Sequence, residues 1–91
     1  MESRAQVYVR GLVQGLGFRY ETWKHANRFG VTGWIRNLSD GCVEAVFEGE
    51  REKIERIIEF CRKGPPGAEI QSIEVKWELF RGEFDRFLVK N

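Results

Sequence analysis

Apolar positions change their spacing along the chain, and each change marks an element. From Gln6 to Arg10, Val7 and Val9 alternate with Gln6, Tyr8 and Arg10, the period of a half-buried strand. Gly11 to Gly17 holds three glycines and predicts a loop. From Phe18 the period lengthens. Phe18, Thr22, Ala26 and Phe29 form one stripe of a helix that Gly30 closes. Val31 to Asn37 and Cys42 to Glu48 read as strands joined by the turn Ser39-Asp40-Gly41, with Val43, Ala45 and Phe47 on one face. Ile54, Ile57, Ile58 and Cys61 give the clearest helix, over Glu50 to Lys63, with acids at its start and Arg62 and Lys63 at its end to suit the dipole. Gly64-Pro65-Pro66-Gly67 ends it. Ile70 to Glu78 is a strand with Ile73, Val75 and Trp77 on one face, and Phe84 to Val89 a last short strand.

The order is β-α-β-β-α-β with an extra C-terminal strand. The split βαβ arrangement produces this order in an α+β domain, as an antiparallel sheet with both helices on one face. Residues 1–91 are expected to form a single domain with no linker or repeat, so any active site lies at the edge of one core. Charged residues reach 32%, yet the net charge is only +1, which argues against nonspecific attraction to nucleic acid. Cys42 and Cys61 form no CxxC pair, and with the single histidine, His25, they make no four-ligand zinc site. They are expected to be buried thiols, and a disulfide between them stays open. The first six residues lack an apolar signal region and no run approaches the ~20 residues of a membrane span, so a cytoplasmic protein without membrane contact is expected.

The chemistry concentrates in Gly11-Leu12-Val13-Gln14-Gly15-Leu16-Gly17-Phe18-Arg19. A glycine-rich loop leaves a strand and runs into a helix start. Its N–H groups can curl inward, and the helix end adds unpaired donors and partial positive charge, a cradle for a small anion. Arg19 sits in the first helical turn, where the dipole disfavours a cation. An anion held between the two resolves that conflict, and a guanidinium grips two phosphoryl oxygens at once. No Lys-Ser/Thr follows the glycines, so the loop is no P-loop, and no parallel βαβ unit makes it a dinucleotide fingerprint.

This segment resembles a signature of the acylphosphatase family, in which a valine often stands where Leu16 is. Gly33-Trp34-Ile35-Arg36-Asn37-Leu38-Ser39-Asp40-Gly41-Cys42-Val43-Glu44 resembles that family's second signature. The departures, Leu16 and Ile35, leave the polar positions intact. The resemblance spans nearly the whole chain and implies a ferredoxin-like fold and hydrolysis of small-molecule acyl phosphates; no metal or cofactor is expected to be required. It implies that the loop of Gln14, Gly15, Leu16, Gly17, Phe18 and Arg19 binds phosphate through backbone N–H groups, that Arg19 is the phosphate-binding arginine, and that Asn37 orients the attacking water. An acyl phosphate releases a carboxylate whose conjugate acid has a pKa of roughly 4.3, so the leaving group needs no general acid. Positioning and charge stabilisation then suffice.

Other residues have structural readings. His25 lies mid-helix off the Phe18 stripe and is expected to be a partly solvated bystander, Trp34 and Trp77 to pack in the sheet, and Trp23 to be partly exposed. Three other functions fit parts of the pattern: a non-catalytic anion-binding regulatory domain, a single-strand RNA binder on the same fold, and a fragment of a larger carbamoyl-transferring enzyme. RNA binders carry aromatic and basic residues on central strands, whereas Cys42 to Glu48 carries two acids and no Arg or Lys. A 91-residue chain with an ordinary last strand reads as a stand-alone enzyme, a monomer or weak homo-oligomer.

Overall fold

The alternation at Gln6–Arg10 is the middle of a longer strand. In the computed structural model, which describes residues 1–91, β1 covers Glu2–Leu12. It extends through Glu2, Ser3 and Arg4 because Ser3 and Arg4 are buried in spite of their polarity. The chain then forms α1 (Phe18–Phe29), β2 (Thr32–Asn37), β3 (Val43–Glu50), α2 (Arg51–Lys63), β4 (Glu69–Glu78) and β5 (Phe87–Lys90). The sheet order is β4-β1-β3-β2-β5.

The first four strands pair antiparallel, as the split βαβ order requires. β5 pairs with β2 in parallel, which makes the whole sheet mixed. The chain's path dictates that direction. β4 is one edge strand and runs opposite to β2, so a connection across the sheet end from β4 must start β5 along β2.

Period-2 patterning divides the sheet into two faces. Ala5, Val7, Val9, Ile35, Val43, Ala45, Phe47 and Phe87 face the helices and join Phe18, Ala26, Ile54, Ile57, Ile58 and Cys61 in one core. α1 packs on β2 and β5, and α2 on β1, β3 and β4, so both helices cover the same face. The α2 stripe read from sequence, Ile54, Ile57, Ile58 and Cys61, is buried, and so are Phe18, Thr22 and Ala26 of the α1 stripe, while Phe29 at its end is only half-buried. Thr22, polar within that stripe, donates from Oγ1 to the Phe18 carbonyl at 2.9 Å.

The opposite face is ionic. Residues 79–86 cross it from β4 towards β5 and cover the sheet at Arg4 and Glu48. The Glu48 side chain is fully buried there. Its carboxylate accepts the N–H of Arg81 at 2.7 Å, the N–H of Glu83 at 3.0 Å and Arg4 Nη1 at 3.2 Å. Arg4 also meets Glu78 at 3.1 Å, pairs with Glu83, and stacks its guanidinium 5.5 Å from the Phe84 ring centroid. Phe84 therefore belongs to the crossing segment and not to the last strand, which starts three residues later at Phe87. Nearby, Glu44 accepts from Arg36 Nε at 2.8 Å and from Gln6 Nε2 at 3.1 Å.

Candidate active site

The site lies at the other end of the sheet, where β1, β2 and β5 finish. β1 ends in a register shift between Arg10 and Gly11. Only glycine fits at position 11: φ is +136°, and a Cβ would lie 2.0 Å from the Glu69 carbonyl oxygen. The chain then leaves the sheet as a loop anchored by the buried Val13.

Gln14 fixes this loop beside β2. Its Nε2 donates to the Leu38 carbonyl at 2.7 Å and the Cys42 carbonyl at 3.0 Å. The β2–β3 turn it grips is itself closed by Leu38 N–H to the Cys42 carbonyl at 2.8 Å and by Cys42 N–H to Asp40 Oδ1 at 3.0 Å. Two loops far apart in sequence are thereby joined, with Asn37 at the end of β2 next to the junction.

Gly17 turns the loop into α1. It is the N-cap, in the left-handed conformation at φ 79° and ψ 15°, and no side chain caps the helix. The Glu21 N–H bonds back to the Gly17 carbonyl at 2.9 Å. The N–H groups of the first turn have no intrahelical acceptor and carry the positive end of the dipole. Arg19 stands in that turn. Its Nη1 donates to the Lys90 backbone carbonyl at 2.7 Å, a neutral partner at the end of β5. That bond aims the guanidinium without neutralising it.

An open cleft of about 460 Å³ collects Gly15, Gly17, Phe18 and Arg19 with Asn37 of β2 and Phe87 and Val89 of β5. The side chains of Gln14 and Leu16 point elsewhere. Gln14 holds the two carbonyls, and Leu16 packs towards Gly67, where a Cβ would be 3.6 Å from its Cδ2. The Phe18 ring is buried, 5.8 Å from the Phe60 centroid, so this residue offers the cleft its backbone. Sequence reasoning missed Tyr20, Trp23 and the β5 residues as parts of the lining. Tyr20 had a signal, since it follows Arg19 in the first turn. The β5 residues had none, because their neighbours are set by the crossing segment.

His25 is outside the cleft, with its ring 4.5 Å from that of Phe60. Trp34 lies on the ionic face near Lys90 and Arg36, and Trp77 lies under the Arg51 guanidinium at 3.9 Å. Both cysteines are free and buried. Burial pushes the Cys61 thiol up to about 12, and burial with the Asp40 carboxylate also raises Cys42, so neither is a thiolate nucleophile at neutral pH. No group of three His, Cys, Asp or Glu side chains comes together to hold a metal ion. No helix is long and apolar enough to cross a membrane.

The acylphosphatase family profile matches residues 5–89. An acylphosphatase of Pelotomaculum thermopropionicum is 51% identical over 87 residues, which covers 96% of this chain and 95% of that one. Among solved structures, the acylphosphatase of Bacillus subtilis superposes with a TM-score of 0.93 at 30% identity, with full coverage of both chains. That of Coxiella burnetii gives 0.91 at 36% identity, covering 98% of this chain and 93% of that one. The profile match over nearly the whole chain, the close relatives and the shared ferredoxin-like architecture lead to one conclusion: the chain is a member of the acylphosphatase family.

Proposed function

We propose that this protein hydrolyses acyl phosphates to a carboxylate and inorganic phosphate. Arg19 and the backbone N–H groups of the loop from Gln14 to Arg19 bind the phosphoryl group, and Asn37 orients the attacking water. The observation that carries the assignment of roles is the meeting, in one cleft, of an uncapped helix N-terminus, an arginine whose bonded partner is neutral, and an asparagine amide.

Each group has a task that matches its chemistry. The guanidinium and the N–H nest stabilise negative charge on the phosphoryl oxygens as the bond to the leaving carboxylate lengthens. The Asn37 amide does not titrate near neutral pH, so it serves by accepting from and positioning water. The leaving carboxylate departs without a proton, which suits a site with no titrating acid. A phosphate monoester has a far poorer leaving group and should be hydrolysed badly. Residues 1–91 act as one acylphosphatase-like unit, as a cytoplasmic monomer or weak homo-oligomer that binds no nucleic acid. The balanced net charge and the engagement of Glu44 and Glu48 with protein donors support the last point.

The test is hydrolysis of benzoyl phosphate at neutral pH, with chelator present, by the wild type, Arg19→Lys and Asn37→Ala. Fast turnover lost in both variants is expected. A wild type that binds inorganic phosphate without turnover would instead make this an anion-binding domain, and loss of all activity on chelation would refute the metal-free chemistry.

A further inference from the structure

The two edges of the sheet are unlike. β5 has four residues, whereas β4 runs for ten, from Glu69 to Glu78, with β1 on one side and no strand on the other. Its outward N–H and C=O groups are open to a further strand, and no proline interrupts it. On the helix side of β4, Ile73, Val75 and Trp77 pack against the core but are only half-buried. Val75 and Trp77 border an open groove of about 360 Å³ with Ile58, Glu55, Glu59 and Arg62 of α2. On the other side, the side chains of Glu74 and Lys76 are largely exposed. Directly past the strand, Leu79 is 88% exposed and Phe80 40%.

This edge is complementary to itself. With a second copy paired antiparallel about a dyad at Val75, Glu74 of each copy lies opposite Lys76 of the other. Ile73 of each lies opposite Trp77, and Val75 opposite its own equivalent, so the half-buried apolar row becomes continuous. Beyond the strand end, Leu79 and Phe80 reach Gln71 and Ile70 of the second copy. Charge selects this register. A dyad moved one residue either way sets Glu74 against Glu74 or Lys76 against Lys76, and like charges directly opposite are destabilising. Charged residues guard an edge when they repel a second copy, but these two attract one. Their present partners compete weakly: Glu74 meets Arg10 at 3.5 Å and Lys76 meets Glu78 at 3.8 Å, both with exposed side chains. Glu78 is moreover engaged by Arg4 at 3.1 Å. The dyad also runs the two α2 helices antiparallel, which sets Glu55 and Glu59 of one copy towards Arg62 of the other.

We propose that β4 is a self-association edge, through which two copies of this chain join their sheets into one. The clefts lie by β2 and β5, at the far edge, and stay open in the pair. One strand pair with its flanking helices is a small interface, so a dissociation constant of roughly tens to hundreds of micromolar is expected.

The experiment is sedimentation equilibrium from about 10 μM to about 1 mM, for the wild type, Glu74→Lys, Lys76→Glu and the double variant that exchanges the two charges. The wild-type mass should rise with concentration towards that of two chains. Each single variant sets like charges opposite at both symmetry-related pairs and should weaken association about tenfold or more. The double variant restores opposite charges and should regain wild-type association. Both side chains are exposed, so a wild-type circular dichroism spectrum in each variant shows that folding is intact. A wild type that stays a single chain at about 1 mM overturns the proposal. So does a pair that the single variants leave unchanged, or that the double variant fails to restore, since its interface then lies elsewhere. No arm of the experiment depends on hydrolysis.

Discussion

Arg4 and Arg19 place the same guanidinium at opposite ends of one sheet, in opposite circumstances. Arg4 is buried among Glu48, Glu78 and Glu83, so its charge is answered by the protein. Arg19 meets a single neutral carbonyl and stands at the positive end of a helix. A cation surrounded by carboxylates holds structure together. A cation whose field the fold leaves uncancelled is ready for an anion from solution. The difference lies in the partners, since the side chain is the same in both.

The sharpest way to break this comparison is to change each partner and follow activity and stability separately. Arg19→Ala should lower kcat for benzoyl phosphate by about 10³-fold or more, since it removes both charge and bidentate grip. Its urea midpoint should stay close to the wild type, within about 0.5 kcal/mol, because the site is exposed. Asn37→Ala should reduce kcat by about 10²-fold, with inorganic phosphate binding retained in a competition assay. If phosphate affinity falls as far as kcat, Asn37 binds the phosphoryl group and does not serve the water.

Glu48→Gln should show the reverse pattern. It should destabilise the fold by about 1–3 kcal/mol in chemical denaturation, because Arg4 loses the fully buried one of its three carboxylate partners and keeps Glu78 and Glu83. Burial alone would raise the Glu48 pKa, but the N–H groups of Arg81 and Glu83 and the Arg4 guanidinium outweigh it and hold the carboxyl below its ordinary value. The unfolded chain thus binds this proton more readily than the folded one. The carboxylate's stabilisation is complete above the unfolded pKa of about 4.3 and is lost as pH falls through the lower folded value. Stability measured from pH 7 down to pH 3 should fall less steeply in Glu48→Gln than in the wild type. An equal slope would mean that other carboxylates govern the acid limb.

Gln14→Ala probes the link between the loop and Asn37. Loss of two bonds to carbonyls should cost about 1–2 kcal/mol and lower kcat about tenfold, through misplacement of the water relative to the phosphoryl group. His25→Ala should have the smallest effect on turnover, less than twofold in kcat/KM at neutral pH. A larger fall, or a change in the pH profile, would bring His25 into the reaction.

Most of the fold was legible because local patterns and tertiary burial agree. Val7 and Val9, the α2 stripe and the Asp-Gly turn each have a local physical reason to be what they are. Reading failed where a charged residue is buried by a distant segment. Glu2, Ser3 and Arg4 have the composition of a solvated terminus, yet they form strand because residues 79–86 cover Arg4 and bond to Glu48. Phe84 has the composition of a strand, but its ring lies by Arg4 in that same crossing segment. In the site, the loop, Arg19 and Asn37 were visible as motifs. The side-chain role of Gln14 was not, since its partners Leu38 and Cys42 become neighbours only after the sheet closes.

The sequence by itself determined the order of elements, the apolar face of each, and the pairing of a glycine-rich loop with an arginine at a helix start. These depend on spacing, on residue chemistry and on interactions within a few positions. Only the tertiary structure decided that β5 runs parallel to β2, that Arg4 is saturated while Arg19 is not, and that Tyr20 and Trp23 face the cleft. Those outcomes depend on which distant carboxylate, carbonyl or strand arrives beside a residue, and electrostatic satisfaction is a property of the assembled surroundings.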